Sequence, residues 1–318
     1  FFYLVLVTVN FLNINNYSTD ILQFPILLNI ILLILLLNHE KLSPGVLEKG
    51  FISFFIGTLV TVVCFFLAIG TEINAEGRVS IFGDNENIIG IRTVISILIL
   101  THVIFNYKNK IPKLLFLLLP LLYLPLVVLM ITTGSRLAFI SLFFSLALIF
   151  LIYQKGSFLN KLFVIAFGSI VLLFIYNVAL ESEVLGARLL KTAESGNLAG
   201  RDEIWLSILP LIEGNLIFGV GRTGYVKYIT SVYGYLRSPH NVIIEVLSYS
   251  GIIGLFLYFS FIFQAIFNSF RYYSITKNII PIVFFVPIFG IILSAQILYL
   301  KLAYVIFAFG ISRKLYLK

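Results

Sequence analysis

Apolar runs long enough to cross a bilayer recur along this chain, and they decide what it can fold into. A helix rises about 1.5 Å per residue, so roughly 20 apolar residues match a hydrocarbon core of about 30 Å. Such runs predict spans at 1–12 (partial), 21–37, 51–70, 88–105, 114–131, 137–153, 162–180, 242–267, 279–295 and 296–311. The break at Ser294-Ala295-Gln296 also allows the last two to form one re-entrant pair. The runs are solid blocks of Leu, Ile, Val and Phe, without the dyad alternation of a barrel strand. In lipid, every backbone N–H and C=O must be satisfied inside the protein, and a helix does this by itself. The expected fold class is all-α: a polytopic transmembrane helical bundle of about 10 spans in one membrane domain, 1–318. Composition agrees, since 60% of residues are hydrophobic and 11% charged. Phe1 is already apolar and no Met precedes it, so an N-terminal truncation is expected, with further helices before it.

The loops sort by charge. Lys41 and Lys49, then Lys108, Lys110 and Lys113, then Lys155 and Lys161, then Arg271 and Lys277, and finally Arg313, Lys314 and Lys318 occupy alternate loops. Between them, 13–20 has no basic residue, 71–87 has only Arg78, and 132–136 has only Arg136. The positive-inside rule assigns the Lys-rich set to the cytoplasm. It also explains the net charge of +8 without nucleic acid. The polar stretch 181–240 then lies outside, as one large extracytoplasmic loop with short amphipathic helices. The outward basic residues before it are arginines, whose planar fork matches phosphate bidentately.

Within this frame a few residues can carry chemistry. Arg136, in Thr132-Thr133-Gly134-Ser135-Arg136, joins two spans at the outer surface. It is either a snorkelling anchor or a phosphate ligand facing an interior cavity. Arg201 precedes Asp202-Glu203, and Ile204, Trp205, Ile208, Leu209 and Ile212 follow at helical spacing. Acids in a first turn mark a helix N-terminus, which favours anions. The alternative is an ordinary Arg–acid surface pair. His240, after Pro239, opens span 242–267 beside Asn241, with Glu245 one turn on. An imidazole can take a proton from a hydroxyl near neutral pH; it can equally be an interfacial polar residue. Arg78 and Arg222 could add to an anion site, or Arg78 could sit in a solvated turn. Arg92 and Lys301 should face the bundle interior, with Glu245 as a partner for either.

Other chemistries are excluded. Three scattered histidines and the single Cys64, without paired carboxylates, make no metal site. Phe218-Gly219-Val220-Gly221-Arg222-Thr223-Gly224 contains G-x-G-x-x-G but outside any βαβ unit. It reads as a glycine turn bringing backbone close to a ligand or to the membrane surface. No Walker A motif is present, so no ATP is implied.

Taken in order, Gly134-Ser135-Arg136, Gly200-Arg201-Asp202-Glu203-Ile204-Trp205, Phe218-Gly219-Val220-Gly221, and His240-Asn241 followed by Gly251-Ile252-Ile253-Gly254 resemble the O-antigen ligase and polymerase superfamily. The Asp84-Asn85 loop resembles a further family feature, so the likeness covers roughly 70–318. The resemblance implies a membrane glycosyltransferase in the bacterial cytoplasmic membrane, acting on its outer face. Its donor is an undecaprenyl-diphosphate-linked glycan, and its acceptor is lipid A-core or another glycan or lipid-linked repeat unit. It implies that Arg136 and Arg201 hold the diphosphate and that His240 activates the acceptor hydroxyl. Arg78, Arg222, Asn241 and Glu245 would be supporting residues. The transfer would be inverting and need no metal or cofactor. A ligase-type role is favoured, with the repeat-unit polymerase close behind. A transporter or flippase for anionic lipid-linked glycans would also want interior arginines, but no internal repeat with broken helices is evident.

Overall fold

The computed structural model describes residues 1–13, 23–107, 111–152, 158–195 and 200–316. Most of the loop 13–20, together with Lys108, Lys110, Lys155 and Lys318 of the charge pattern, lies outside these described residues. In chain order the elements are α1 (Phe2–Leu12), α2 (Phe24–Leu42), α3 (Val46–Phe66), β1 (Thr71–Ile73), β2 (Val79–Ile81), α4 (Glu86–Asn106), α5 (Lys113–Leu118), α6 (Tyr123–Thr132), α7 (Arg136–Ile152) and α8 (Phe158–Glu181). Then come α9 (Leu185–Ser195), α10 (Arg201–Gly214), α11 (Gly221–Tyr233), α12 (Val242–Thr276), α13 (Ile280–Val283), α14 (Phe285–Ser294) and α15 (Lys301–Ser312).

The protein is a helical, multi-pass membrane protein. Among the described residues, six helical stretches are long and apolar enough to cross a bilayer: 24–42, 46–66, 86–106, 113–132, 158–181 and 242–276. The runs expected at 1–12, 137–153 and 279–295 fold as shorter apolar helices. The run at 296–311 begins with a 3₁₀ turn, Ile297–Tyr299, and only its last part forms the 12-residue α15. Stretch 113–132 is interrupted by a 3₁₀ turn at Leu119–Leu122, where Pro120 has no N–H to give to the α-helical ladder.

One expected loop is partly a sheet. Within 71–87, β1 and β2 pair antiparallel in the register Thr71↔Ile81, Glu72↔Ser80 and Ile73↔Val79. The Asn74 side chain closes the turn, its Oδ1 accepting from the backbone N–H of Glu76 and of Arg78.

The chain divides into two compact units. One comprises Gly45–Gly196 with Thr276–Gly290. Its centre is α4, buried from Ile89 to His102 on almost every face and packed against α3, α6 and α7. Gly90 lets α7 come close: a Cβ there would lie 2.8 Å from that of Ala138 and 3.0 Å from that of Ser135. Small residues serve this purpose between membrane helices. A hydroxyl pair, Ser96 Oγ donating to Thr58 Oγ1 at 2.7 Å, ties α4 to α3.

The other unit comprises Phe1–Pro44, Asn197–Ile275 and Ile291–Lys318. Here α15 packs on α2, α1 on α11, and α10 on α11. Its long helix α12 breaks at Gly251, which takes φ 60° and ψ −164°. The break frees backbone groups that the loop before α11 takes up. Ile252 N–H donates to Leu216 O at 2.9 Å, and Val220 N–H donates to Ser248 O at 2.8 Å. Gly219, at φ 70°, lies so close that a Cβ would sit 2.7 Å from Ser248 O and from the amides of Ser250 and Gly251. Gly219 therefore approaches α12 backbone, and Gly221 approaches Asn10 of α1, which corrects the expectation that these glycines approach a ligand or the membrane surface.

A methyl group at Gly251 would sit 2.2 Å from Ile217 O in a left-handed conformation. Gly251→Ala is expected to cost about 3 kcal/mol or more. Gly57 lies within helical α3 with nothing within 4 Å of its added Cβ. Gly57→Ala is expected to leave stability unchanged or raise it by about 0.5–1 kcal/mol. Thermal unfolding in detergent distinguishes the two.

Candidate functional site

The segment Ser238-Pro239-His240-Asn241 is held on all sides within its unit. Asn241 caps α12, its Oδ1 accepting from the N–H of Ile243 at 2.9 Å and of Ile244 at 3.3 Å. This satisfies amides that the first helical turn leaves unpaired. From α10, Trp205 Nε1 donates to Pro239 O at 2.7 Å, and from α11, Tyr225 OH donates to Arg237 O at 2.6 Å. His240 itself takes a left-handed φ of 48°, uncommon for a residue with a side chain. Its N–H donates to Ser238 Oγ at 3.2 Å. Its imidazole reaches solvent. The surrounding protein, and next the Arg201 charge, hold its pKa below the usual histidine value.

Arg201 opens α10, as the acidic first turn predicts, with Gly200 as N-cap at φ 70°. Ile204, Ile208 and Ile212 form the buried stripe of that helix, whereas Leu209 is exposed. His240 and Arg201 are thus brought within electrostatic reach of each other across 39 positions of sequence.

The same unit contains a cavity of about 400 Å³, which sequence reasoning missed. Its wall includes Ser238, two residues before His240, and Arg222, together with Gln23, Tyr225, Tyr249 and Tyr299. Glu245 is fully buried. Its Oε1 accepts from Gln296 Nε2 at 3.5 Å. Neither Arg92 nor Lys301 takes the interior place expected of it. Arg92 is half-exposed and pairs with Asp84, and Lys301 is exposed. Each sits at a helix end or near one, where a long basic side chain can reach polar surroundings.

Arg136 and Arg78 lie in the other unit, gathered around the turn at Gly134. Arg78 is buried, so the solvated-turn alternative does not hold. Its Nε donates to Thr133 O at 2.9 Å, its Nη2 to Asn87 Oδ1 at 2.9 Å, and its Nη1 lies 3.4 Å from Glu86 Oε2. Burial, and next the Arg188 charge, lower its pKa from the ordinary arginine value. Arg136, half-buried at the start of α7, donates to Thr192 Oγ1 of α9. Arg188, one turn before Thr192, donates from Nη1 to Gly134 O at 2.7 Å and lies 3.7 Å from Glu76. Of these five charged side chains three are arginines, which leaves one positive charge in excess. Arg188 is the residue that sequence reasoning passed over. The signal for it was the i, i+4 spacing of Arg188 and Thr192 on a short amphipathic helix.

The model of a family described as O-antigen ligase matches residues 120–259. The match takes in Arg136, Arg188, Arg201, His240 and the Gly251 break. No curated protein and no solved structure matches the chain.

Because Arg78 is buried with three partners, Arg78→Ala is expected to lower stability by about 3 kcal/mol. Arg188→Ala, at a half-buried position, should lower it by about 1 kcal/mol. Thermal unfolding in detergent measures both, and equal melting of the two variants would show that Arg78 does not brace the turn.

Proposed function

The family match over residues 120–259 supports the O-antigen ligase and polymerase superfamily for this chain, and from that premise we propose that it is a glycosyltransferase with the following transfer mechanism. The donor is a glycan on undecaprenyl diphosphate, and the acceptor is a sugar hydroxyl of lipid A-core or another surface glycan. The reaction occurs at the outer face of the bacterial cytoplasmic membrane. His240 takes the proton of the acceptor hydroxyl as its oxygen attacks the anomeric carbon. The bond between that carbon and the diphosphate oxygen breaks with inversion, and the lipid diphosphate leaves carrying the charge. Arg201, in the same unit as His240, holds the diphosphate and stabilises that charge as it develops, a role that the family resemblance also gives to Arg136. The donor is already activated, so the step needs neither ATP nor a metal.

One observation supports this reading above the others. His240, which lies within the matched stretch, is exposed, and the Arg201 charge acts on it. A cation beside an imidazole favours its neutral form, which a general base requires. The polymerase reading uses the same residues with a repeat unit as acceptor.

The test is reconstitution in detergent or liposomes with undecaprenyl-diphosphate glycan and either lipid A-core or a second lipid-linked repeat unit. His240→Ala is expected to lower transfer by about 10²–10⁴-fold, and Arg201→Ala by about 10²–10³-fold. Full transfer by both variants would sink the assignment. Transfer should survive EDTA; loss that a divalent cation restores would contradict the metal-free route.

The pH profile provides a separate check. The folded pKa of His240 is lowered, so its neutral form persists at pH values below about 6.5, where an ordinary histidine becomes charged. Transfer should fall as pH drops through a midpoint below about 6.5. Arg201→Gln removes one cause of the lowering and should move that midpoint upward, as read from residual kcat/KM against pH.

A further inference from the structure

We propose that the cavity beside Ser238 is a saccharide subsite that seats the acceptor's terminal sugar. The proposal rests on the transferase reading for its assignment to the acceptor, but on the cavity itself for the class of ligand.

The cavity, about 400 Å³, falls within the size range of small-molecule sites. Its wall is dominated by groups that suit a hydroxyl-rich ring. Gln23 and Gln296 present amides, each able to donate and accept; Arg222 presents a guanidinium; and Tyr225, Tyr249 and Tyr299 present rings with polar edges. Aromatic rings pair an apolar face with a polar handle, and a sugar has apolar C–H faces between polar hydroxyls. Only Pro25 and Leu236 contribute purely apolar side chains.

The polar groups are held before any ligand binds. Tyr299 OH donates to Gln23 Oε1 at 3.3 Å, and Tyr225 OH is fixed on Arg237 O. Gln296 is braced from behind by the buried Glu245 carboxyl. Arg237 at the rim lies over the rings of Tyr233 and Tyr235, with its carbon 4.6 and 5.4 Å from their centroids. Preorganisation of this kind lowers the ordering cost of binding.

Assignment to the acceptor follows from Ser238. Its side chain lines the cavity and also accepts the N–H of His240. A sugar seated there meets a residue that is hydrogen-bonded to the backbone of the one proposed to take its hydroxyl proton. The donor must instead present its anomeric carbon while bonded to the diphosphate.

The chain's single tryptophan, Trp205, is hydrogen-bonded to Pro239, so its emission reports on this segment without any transfer. The probe is the lipid-free oligosaccharide released by mild acid from the host strain's own lipid-linked glycan. It is titrated into the full-length chain in detergent while Trp205 fluorescence is followed. A saturable change is expected for wild type and for His240→Ala. In Gln296→Ala and Tyr299→Ala the half-saturating concentration should rise about tenfold, as for one lost hydrogen bond. In the transfer assay the same variants should raise the acceptor KM by a similar factor and leave the donor KM unchanged. Should Tyr299→Ala fail to fold, Gln23→Ala and Tyr299→Phe take its place. No saturable response in wild type, or unchanged affinity and acceptor KM in folded variants, overturns the subsite. A rise in donor KM alone assigns the cavity to the donor glycan and overturns the acceptor assignment. Oligosaccharide binding with no transfer to any acceptor would instead remove the transferase reading and leave a saccharide site standing.

Discussion

The exchange of backbone hydrogen bonds at the Gly251 break is the interaction on which the histidine-bearing unit depends. An unbroken α12 would use the Ile252 amide to bond Ser248 O within the helix. Here Ser248 O receives Val220 N–H, and Ile252 N–H goes to Leu216 O. The loop between α10 and α11 is thereby grafted onto α12. Non-helical backbone is tolerated in a membrane helix only where other protein groups satisfy it, and the 216–220 loop meets that condition. Two glycines make the graft sterically possible, Gly251 on the helix and Gly219 on the loop. The consequence reaches the candidate base. Helices α10 and α11 are joined by the grafted loop, and each sends one side chain, Trp205 and Tyr225, to hold the segment before His240.

In each unit, buried charge is handled by commitment rather than by exclusion. Glu40 and Arg313 are both almost wholly buried in the histidine-bearing unit, 3.2 Å apart. Tyr316 OH adds a bond to Glu40, and the Arg313 guanidinium lies 4.0 Å from the Phe309 ring centroid. Losing either partner would strand a charge, so the pair fixes α2 against the end of α15 more firmly than it adds net stability. Arg78 plays the corresponding part in the other unit. Its donors are taken up by Thr133, Asn87 and Glu86, and it positions the Gly134 turn rather than presenting a spare fork to a ligand. Arg136 and Arg188 reach the same turn from α7 and α9, and both are half-buried. The functional burden proposed for Arg136 therefore falls on a side chain held by Thr192 against the like charge of Arg188.

What the sequence made legible follows from the range of the interactions involved. The apolar runs and the α10 stripe are local periodicities: six of the runs form span-length helices among the described residues, and Ile204, Ile208 and Ile212 are buried as their spacing predicts, although Leu209 is exposed. Acids after Arg201 marked a helix start because the dipole acts within one turn. The β1–β2 hairpin escaped notice because three-residue strands carry too little alternation, although Val79-Ser80-Ile81 has the pattern. Arg188 escaped because its carbonyl partner, Gly134, is 54 positions away. The α12 break was hidden in a different way. Gly251-Ile252-Ile253-Gly254 is an ordinary small-residue motif until the loop that occupies it is known. Both halves of that contact were singled out in the sequence, but nothing local says that they meet.

The same reasoning separates the residues that build the site from those available to act in it. Asn241 spends its side-chain oxygen on two amides of α12, so its contribution is to start the helix. Glu245 is fully buried and accepts from Gln296, so it acts from behind the cavity wall. His240 differs from both. Its backbone is strained into a left-handed conformation and tied to Ser238, while its ring remains accessible. Strain of that kind persists only when the surroundings over-determine it, and here Tyr225 holds Arg237, Trp205 holds Pro239, Ser238 holds His240 and Asn241 caps the helix that follows. The local hydrogen bonds thus go to backbone orientation and leave His240 exposed, an allocation that suits the proton-accepting role proposed for it.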